Sequence, residues 1–376
     1  MKAAVTTLAF CVASLLALGL VMLYSSSMTQ FGADLLKKQL AWFALGFALC
    51  MAATALDYQV LKKCAWPFFL LALFLLVLVL VPHIGRKING ARRWFDFHGL
   101  RFQPSEFAKL ALIILLAWYG DRCQRHMHTW SRGVVLPGLL IMLVLGLVFI
   151  EPDRGTAILL AAVSGAMLLI AGVRWRYIVP PVLLGAFALT VSILRDPMRM
   201  KRIFSWWDLE QHKEGVGYQA YQSPIALGSG GWTGLGLGNG RQKLGFVPED
   251  HTDFIFSIIG EELGLVATLL VVLAFVVIAI CGIYIALNSR DTFGFLLAAG
   301  VTFLISLQAA INIGVVTSAL PNKGLPLPFI SYGGSNLLAM FTCVGILFSV
   351  ARHSHARGKI PAAAIETDEI PITQTT

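Results

Sequence analysis

Ten apolar blocks constrain this chain more than any other feature: residues 3–24, 40–56, 65–81, 107–119, 134–150, 157–173, 177–194, 263–287, 293–320 and 329–351. A helix of about 20 residues crosses the hydrocarbon core of a bilayer. Backbone polar groups find no water there, so only helices and closed barrels span it. The shortest block reaches span length only if its helix extends back through Glu106 to Pro104. The expected fold is an all-α polytopic membrane protein with about ten transmembrane helices and one long extracytoplasmic loop. Composition agrees: 57% of residues are hydrophobic and 13% charged, where an average globular chain has about 25% charged. An ordinary soluble enzyme, a secreted disulfide scaffold and a disordered chain are excluded. The first block is longer than a signal-peptide core and lacks a small-x-small site before Ser25, so it reads as a retained span. The six cysteines lie in or beside apolar blocks, without CxxC or zinc-ligand spacing. His126, His128, His353 and His355 read as solvated loop residues.

An even number of spans puts both termini on one side. If that side is cytoplasmic, it holds 12 of the 29 Lys and Arg residues and the other side holds 16, with Lys109 inside a span. The positive-inside rule leaves the orientation open, because seven of the 16 fall in the long loop, which the rule largely exempts. An excess of external base suits a fold that needs it for an anionic ligand. The long loop, 195–252, is too short, too glycine-rich and too poor in apolar residues for a separate domain. The polar tail 361–376 reads as disordered. The sequence shows no internal repeat, although inverted repeats can be weak in sequence.

Ionisable residues at membrane depth are costly and mark function. Glu106 and Lys109 stand three residues apart at the head of the fourth span, on one helix face. Asp153 lies in the turn Glu151-Pro-Asp-Arg-Gly-Thr156, within reach of an ion pair with Lys109 that would lock packing, serve a site, or both. Pro104 suits a first helical turn, with Gln103 or Ser105 as cap and Arg101 ahead of it. Residues 228–240 are glycine-dense and lead into Arg241, Gln242 and Lys243. Glycine lets backbone approach a ligand, so this is either an irregular re-entrant loop or a phosphate cradle; neither nucleotide-binding glycine motif is present.

Glu249, Asp250 and Asp253 gather with His251 where that loop re-enters the membrane. A carboxylate at an apolar boundary tends to a raised pKa, which suits Asp253 as a general base. Capping of the next helix by Thr252 or Asp253 is the competing reading, with Glu261 and Glu262 as ordinary polar positions. Residues 321–335 form a Pro/Gly loop carrying Lys323. Alternation of the spans puts 82–101, 151–155, 195–252 and 321–328 on one face. Arg101, Lys109, Arg241, Lys243 and Lys323, with Asp253, Asp153 and Glu106, would then line one cavity for a lipid-linked phosphate or pyrophosphate.

At these residues the chain resembles the SEDS family of bacterial peptidoglycan polymerases (shape, elongation, division and sporulation). The matching segments are Asn89-Gly-Ala-Arg-Arg-Trp94, Arg101-Phe-Gln-Pro-Ser-Glu-Phe-Ala-Lys109, Glu151–Thr156, Ala226-Leu-Gly-Ser-Gly-Gly231, Gln242-Lys-Leu244, Pro248-Glu-Asp-His-Thr-Asp-Phe-Ile-Phe256, Gly260-Glu-Glu-Leu-Gly264 and Lys323-Gly-Leu-Pro-Leu-Pro-Phe-Ile-Ser-Tyr-Gly-Gly-Ser335. Asn89-Gly-Ala and Pro321-Asn-Lys-Gly-Leu325 look like the division, FtsW-like branch rather than the elongation, RodA-like one.

The resemblance implies a SEDS domain over residues 1–360, ten spans and a cytoplasmic tail at 361–376. It implies an inverting glycosyltransferase in the bacterial inner membrane, at the division septum, polymerising lipid II into β-1,4 glycan strands at the outer face. The family's essential loop aspartate falls on Asp253, and its binding residues on Arg101, Gln103, Glu106, Lys109, Asp153, Gln242, Lys323 and Ser331. Two positions depart from the pattern: Gly245 stands where some division-branch members carry an acid, and Arg154 where the turn is commonly apolar.

In the mechanism so implied, Asp253 takes the proton of the acceptor 4-hydroxyl, whose oxygen attacks the anomeric carbon of the donor. Lys109, Arg101 and Lys323 stabilise the departing pyrophosphate; a divalent cation, Mg2+ or Mn2+, would share that task, though no motif demands one. The implied partners are lipid II, nascent glycan, a class B penicillin-binding protein and other divisome membrane proteins, with no nucleic acid. A flippase would use the same basic cavity without a general base, and a division scaffold would need no ordered carboxylates.

Overall fold

The structure, a computed structural model, describes residues 1–27, 32–88, 91–97, 100–208, 215, 217–243, 251–322 and 324–354. Asn89, Gly245, Glu249, Asp250, Lys323 and the tail 361–376 therefore lie outside the described residues. The chain runs through α1 (Lys2–Ser27), α2 (Asp34–Ala55), a short α3 (Tyr58–Lys63) and α4 (Ala65–Leu80). Three strands follow, β1 (Arg86–Ile88), β2 (Ala91–Phe97) and β3 (Leu100–Phe102), then α5 (Pro104–Arg122), α6 (Leu136–Ile150), α7 (Arg154–Ile170) and α8 (Trp175–Leu194). The long loop holds α9 (Pro197–Trp207) and α10 (Tyr218–Ser229), and α11 (Ile255–Leu287), α12 (Thr292–Val316) and α13 (Gly334–Ser354) complete the bundle.

Every apolar block carries a helix. Among the described residues, seven helices are long and apolar enough to cross a membrane, and α4 and α7 are shorter apolar ones. The fourth block does extend back to Pro104, which occupies the first turn of α5. That helix is the centre of the bundle, packed by α4, α6, α7, α12 and α13. Nearly all of it is buried, Glu106 and Lys109 included. At the other extreme, α8 has no buried residue.

Two features position the site and were not legible beforehand. The segment before α5 is a three-stranded antiparallel sheet of order β1-β2-β3; β1 and β3 have three residues each, too few for a period-2 pattern, and the seven residues of β2, Ala-Arg-Arg-Trp-Phe-Asp-Phe, do not alternate strictly. The eighth block begins a helix that reaches back to Ile255 but is broken at Gly264, whose φ of 77° favours glycine. The break exposes main-chain groups that the glycine-rich loop satisfies. Leu265 and Val266 donate to the carbonyls of Gly231 and Trp232, and Leu235 and Gly236 donate to those of Glu261 and Glu262. In the same loop α10 is fastened to the end of α12: Ser223 donates to the Val316 carbonyl at 2.7 Å and Ser318 to that of Ala220 at 3.0 Å.

Candidate active site

Burial at the head of α5 forces its charges to find partners, because an unpaired ion in the interior is costly. Lys109 Nζ lies 2.8 Å from the Glu106 carboxylate, with the two side chains 0% and 4% exposed. Lys109 also donates to Gln308 of α12 at 3.0 Å, and Asn336 of α13 donates to Glu106 at 3.0 Å. The expected Lys109–Asp153 pair is not formed: Glu106, three residues away on the same face, takes that place. The expectation of Lys109 against a phosphate is likewise corrected, since its ammonium is buried in the bundle against Glu106 and Gln308.

Two amides one turn apart on α12 carry this network to the loops. Gln308 Nε2 donates to the Pro326 carbonyl at 2.9 Å. Asn312 Nδ2 donates to the carbonyls of both Asp253 (2.8 Å) and Leu325 (2.7 Å). The backbone of the candidate base is thus tied to the 324–328 loop by one side chain.

Asp153 caps α7, accepting from Thr156 N at 3.1 Å and Thr156 Oγ1 at 2.9 Å. It also accepts from Gln103 Nε2 at 3.0 Å, so Gln103 is turned towards α7 rather than onto its own helix. Neither Gln103 nor Ser105 caps α5, which begins without a side-chain cap; the Ser105 hydroxyl is buried without a partner. Arg93 of β2 holds the same turn, donating to the carbonyls of Glu151 at 2.7 Å and Pro152 at 2.5 Å. The Glu151 carboxyl is fully buried, and neither of its oxygens has a hydrogen-bond partner. Burial, reinforced by Asp153 and opposed by Arg93, pushes its pKa up to about 8.

Asp253 is partly buried at the approach to α11. A β-carbon on Gly324 would lie 2.7 Å from Asp253 Oδ2, so this glycine sits directly against the carboxylate. Ser331 staples the two loops: its hydroxyl donates to the Thr252 carbonyl at 2.6 Å and accepts from Leu327 N at 2.8 Å. Tyr332 N donates to the His251 carbonyl at 2.9 Å. Arg101 is exposed, and its charge opposes the upward push that burial gives the Tyr332 phenol. Capping by Thr252 or Asp253 is not what these residues do, since α11 starts after Phe254 with no side-chain cap. Gly155, just past Asp153, faces Leu325, whose Cγ would lie 3.2 Å from a β-carbon at that position. Turn 151–156, approach 251–254 and loop 324–332 therefore meet at one end of the bundle.

The glycine-rich loop binds an anion, but the protein's own. Backbone N–H groups of Arg241 (2.7 Å) and Gln242 (3.2 Å) donate to Glu261, and Gly238 N donates to Glu262 at 3.1 Å. Lys243 pairs with Glu262 at 2.7 Å, both buried, and Ser25 of α1 donates to the same carboxylate at 2.7 Å. Both the phosphate-cradle reading and the assignment of Lys243 to a phosphate cavity are overturned. Glu261 and Glu262 are the loop's anchors, not ordinary polar positions. The Gln242 amide oxygen is buried without a partner, and the Arg241 side chain is exposed.

Sequence reasoning missed Gln308, Asn312 and Asn336 altogether, because single amides inside apolar blocks carry no spacing signal. It quoted Arg93 and Glu151 within motifs without giving them a role.

Long apolar helices around a polar, charge-paired centre, with carboxylates and cations gathered at one end, define a multi-pass membrane protein with a candidate site at that end of the bundle. The chain belongs to the FtsW/RodA/SpoVE family, whose model, described as cell cycle protein, matches residues 6–356. It is 40% identical over 346 residues to a probable peptidoglycan glycosyltransferase FtsW of Trichlorobacter lovleyi, covering 90% of this chain and 91% of that one. It is also 40% identical over 351 residues to a protein of the same name in Coxiella burnetii, covering 91% and 94%. Among solved structures it matches a chain from a study of polymerization and crosslinking by a peptidoglycan synthase complex. That match has a TM-score of 0.78 and 29% identity, covering 93% of this chain and 97% of that chain.

Proposed function

We propose that this protein is a peptidoglycan glycosyltransferase of the FtsW type, polymerising lipid II at the outer face of the cytoplasmic membrane during septal wall synthesis. Among its residues, the observation that carries this reading is the mounting of Asp253. Its carbonyl is held by Asn312, the preceding carbonyl by Ser331, and its carboxylate rests against a glycine. A general base must be held in position against its proton donor, and the backbone that carries this carboxylate is held by α12 and by the 324–332 loop. Asp253 accepts the acceptor's 4-hydroxyl proton as that oxygen attacks the anomeric carbon and the pyrophosphate leaves. Arg101 and Lys323 offer positive charge to the leaving group. Glu106 and Lys109 act at one remove, by fixing Gln308 and Asn336, while Gln103 and Asp153 hold the neighbouring turn.

A divalent cation would supply further charge to the pyrophosphate. Among the described residues no three His, Cys, Asp or Glu side chains gather to hold one. Mg2+ is commonly held by one or two carboxylates together with substrate phosphates, and Asp253 is the carboxylate suited to that arrangement. The likeness to a complex that polymerises and crosslinks supports a class B penicillin-binding protein as partner.

The test is glycan synthesis from lipid II by the protein co-purified with that partner, its transpeptidase blocked. Wild type should form polymer, and folded, partner-bound Asp253→Asn none. Equal polymer from both refutes the general-base role. No polymer from either, with lipid II translocation intact in liposomes, would instead favour a flippase.

A further inference from the structure

A groove with a cavity volume of about 720 Å³ runs along α8 and ends at Arg195 and Asp196. Leu184, Phe187, Ala188 and Val191 form its apolar wall, and Ser192 and Arg195 its head. Behind the head, Arg154 donates to the Ser192 hydroxyl at 2.6 Å. Its guanidinium carbon lies 4.9 Å from the Phe149 ring centroid, and its Nε and Nη1 are buried without hydrogen-bond partners. A half-buried guanidinium with two buried, idle donors is an incomplete arrangement.

Beyond the head, α9 presents Lys201 with Phe204 and Trp207, which are 55% and 83% exposed. Basic residues beside exposed aromatics are the composition of a helix lying in the headgroup layer. Trp206 fixes α9 there by donating to the Ser318 carbonyl at 2.9 Å, at the end of the bundle that carries Asp253. Asp196 shares the rim, one carboxylate against Arg154, Arg195 and Lys201.

We infer that this groove is a binding site for an anionic phospholipid. The acyl chain lies along Leu184, Phe187 and Val191, and the phosphate is held by Arg195 and Lys201, with Arg154 supplying charge behind Ser192. Charge complementarity selects the occupant: an apolar chain alone would leave the cations uncompensated, and a zwitterionic headgroup compensates them poorly.

The test titrates the full-length protein in detergent with phosphatidylglycerol or with phosphatidylcholine of the same chains, counting bound lipid by native mass spectrometry. Activity is not read, so the outcome is independent of the polymerase chemistry. One phosphatidylglycerol should bind about tenfold more tightly than phosphatidylcholine. Arg154→Leu combined with Arg195→Gln should abolish that preference. Ala188→Trp, at an exposed position, should block the groove with the charges intact. Equal affinity for the two lipids, or a preference that survives both variants in folded protein, overturns the site. Displacement of the phosphatidylglycerol by equimolar undecaprenyl pyrophosphate overturns it too, by giving the groove to the substrate's lipid.

Discussion

Breaking the Glu106–Lys109 pair from either side should be among the most destabilising changes available in this chain. The two side chains are 4% and 0% exposed. Removing one partner of a buried pair costs roughly 3–5 kcal/mol, where an exposed helix pair is worth about 0.3–0.5 kcal/mol. Lys109→Met leaves the Glu106 carboxylate with the Asn336 N–H alone and deprives Gln308 of its donor. An orphaned buried acceptor costs about 1–3 kcal/mol, so this variant should fall at the upper end of the range. Glu106→Gln keeps an oxygen for Lys109 but leaves the ammonium unneutralised, at roughly 3 kcal/mol. The double variant carries no charge and should lose only about 1–2 kcal/mol, because neutral residues of similar volume replace buried pairs with little penalty. SDS-driven equilibrium unfolding from mixed micelles, followed by tryptophan fluorescence, measures all three. Single-variant losses below about 1 kcal/mol, or a double variant that loses the sum of the two, would refute the reasoning by showing that the charges are solvated.

Glu151 makes stability depend on pH. Its folded pKa of about 8 lies above the ordinary 4.5, so the fold favours the neutral acid. Its contribution is complete below about pH 4.5 and declines by at most ~1.4 kcal/mol per pH unit up to about pH 8. Glu151→Gln should flatten the unfolding free energy across that window; an unchanged slope counts against the assignment. Gly324→Ala drives a methyl towards Asp253 Oδ2. Polymerisation should fall about 10–100-fold with a melting temperature close to wild type, and full activity would separate Gly324 from the site. Gly264→Ala forces φ of 77° onto an L side chain and sets its β-carbon 2.4 Å from Gly234 N. A loss of at least about 2 kcal/mol in the same unfolding assay is expected, and a neutral result would mean that the break is not fixed as described.

The helices, and the end of the bundle on which the candidate residues gather, were legible in the amino-acid sequence. Bilayer thickness imposes a length on every span, so ten blocks could be read directly, including the need for the fourth to begin at Pro104. Alternation of spans then brought 151–155, the approach to Asp253 and 321–328 to one side without any knowledge of packing. The pairing of the charged groups followed from packing. Lys109 and Asp153 looked like a pair because both carry charge near one surface, yet Glu106 shares Lys109's helix face and Gln103 reaches Asp153. Lys243 and the glycine loop looked like a phosphate site, yet the break at Gly264 turns Glu261 and Glu262 into the anions that they hold. The amides of α12 gave no signal, because a lone Gln or Asn in an apolar block acquires meaning only from the carbonyl opposite it. Helix length follows from the solvent that each segment faces, whereas the pairing of buried polar groups follows from which ones meet when water is excluded.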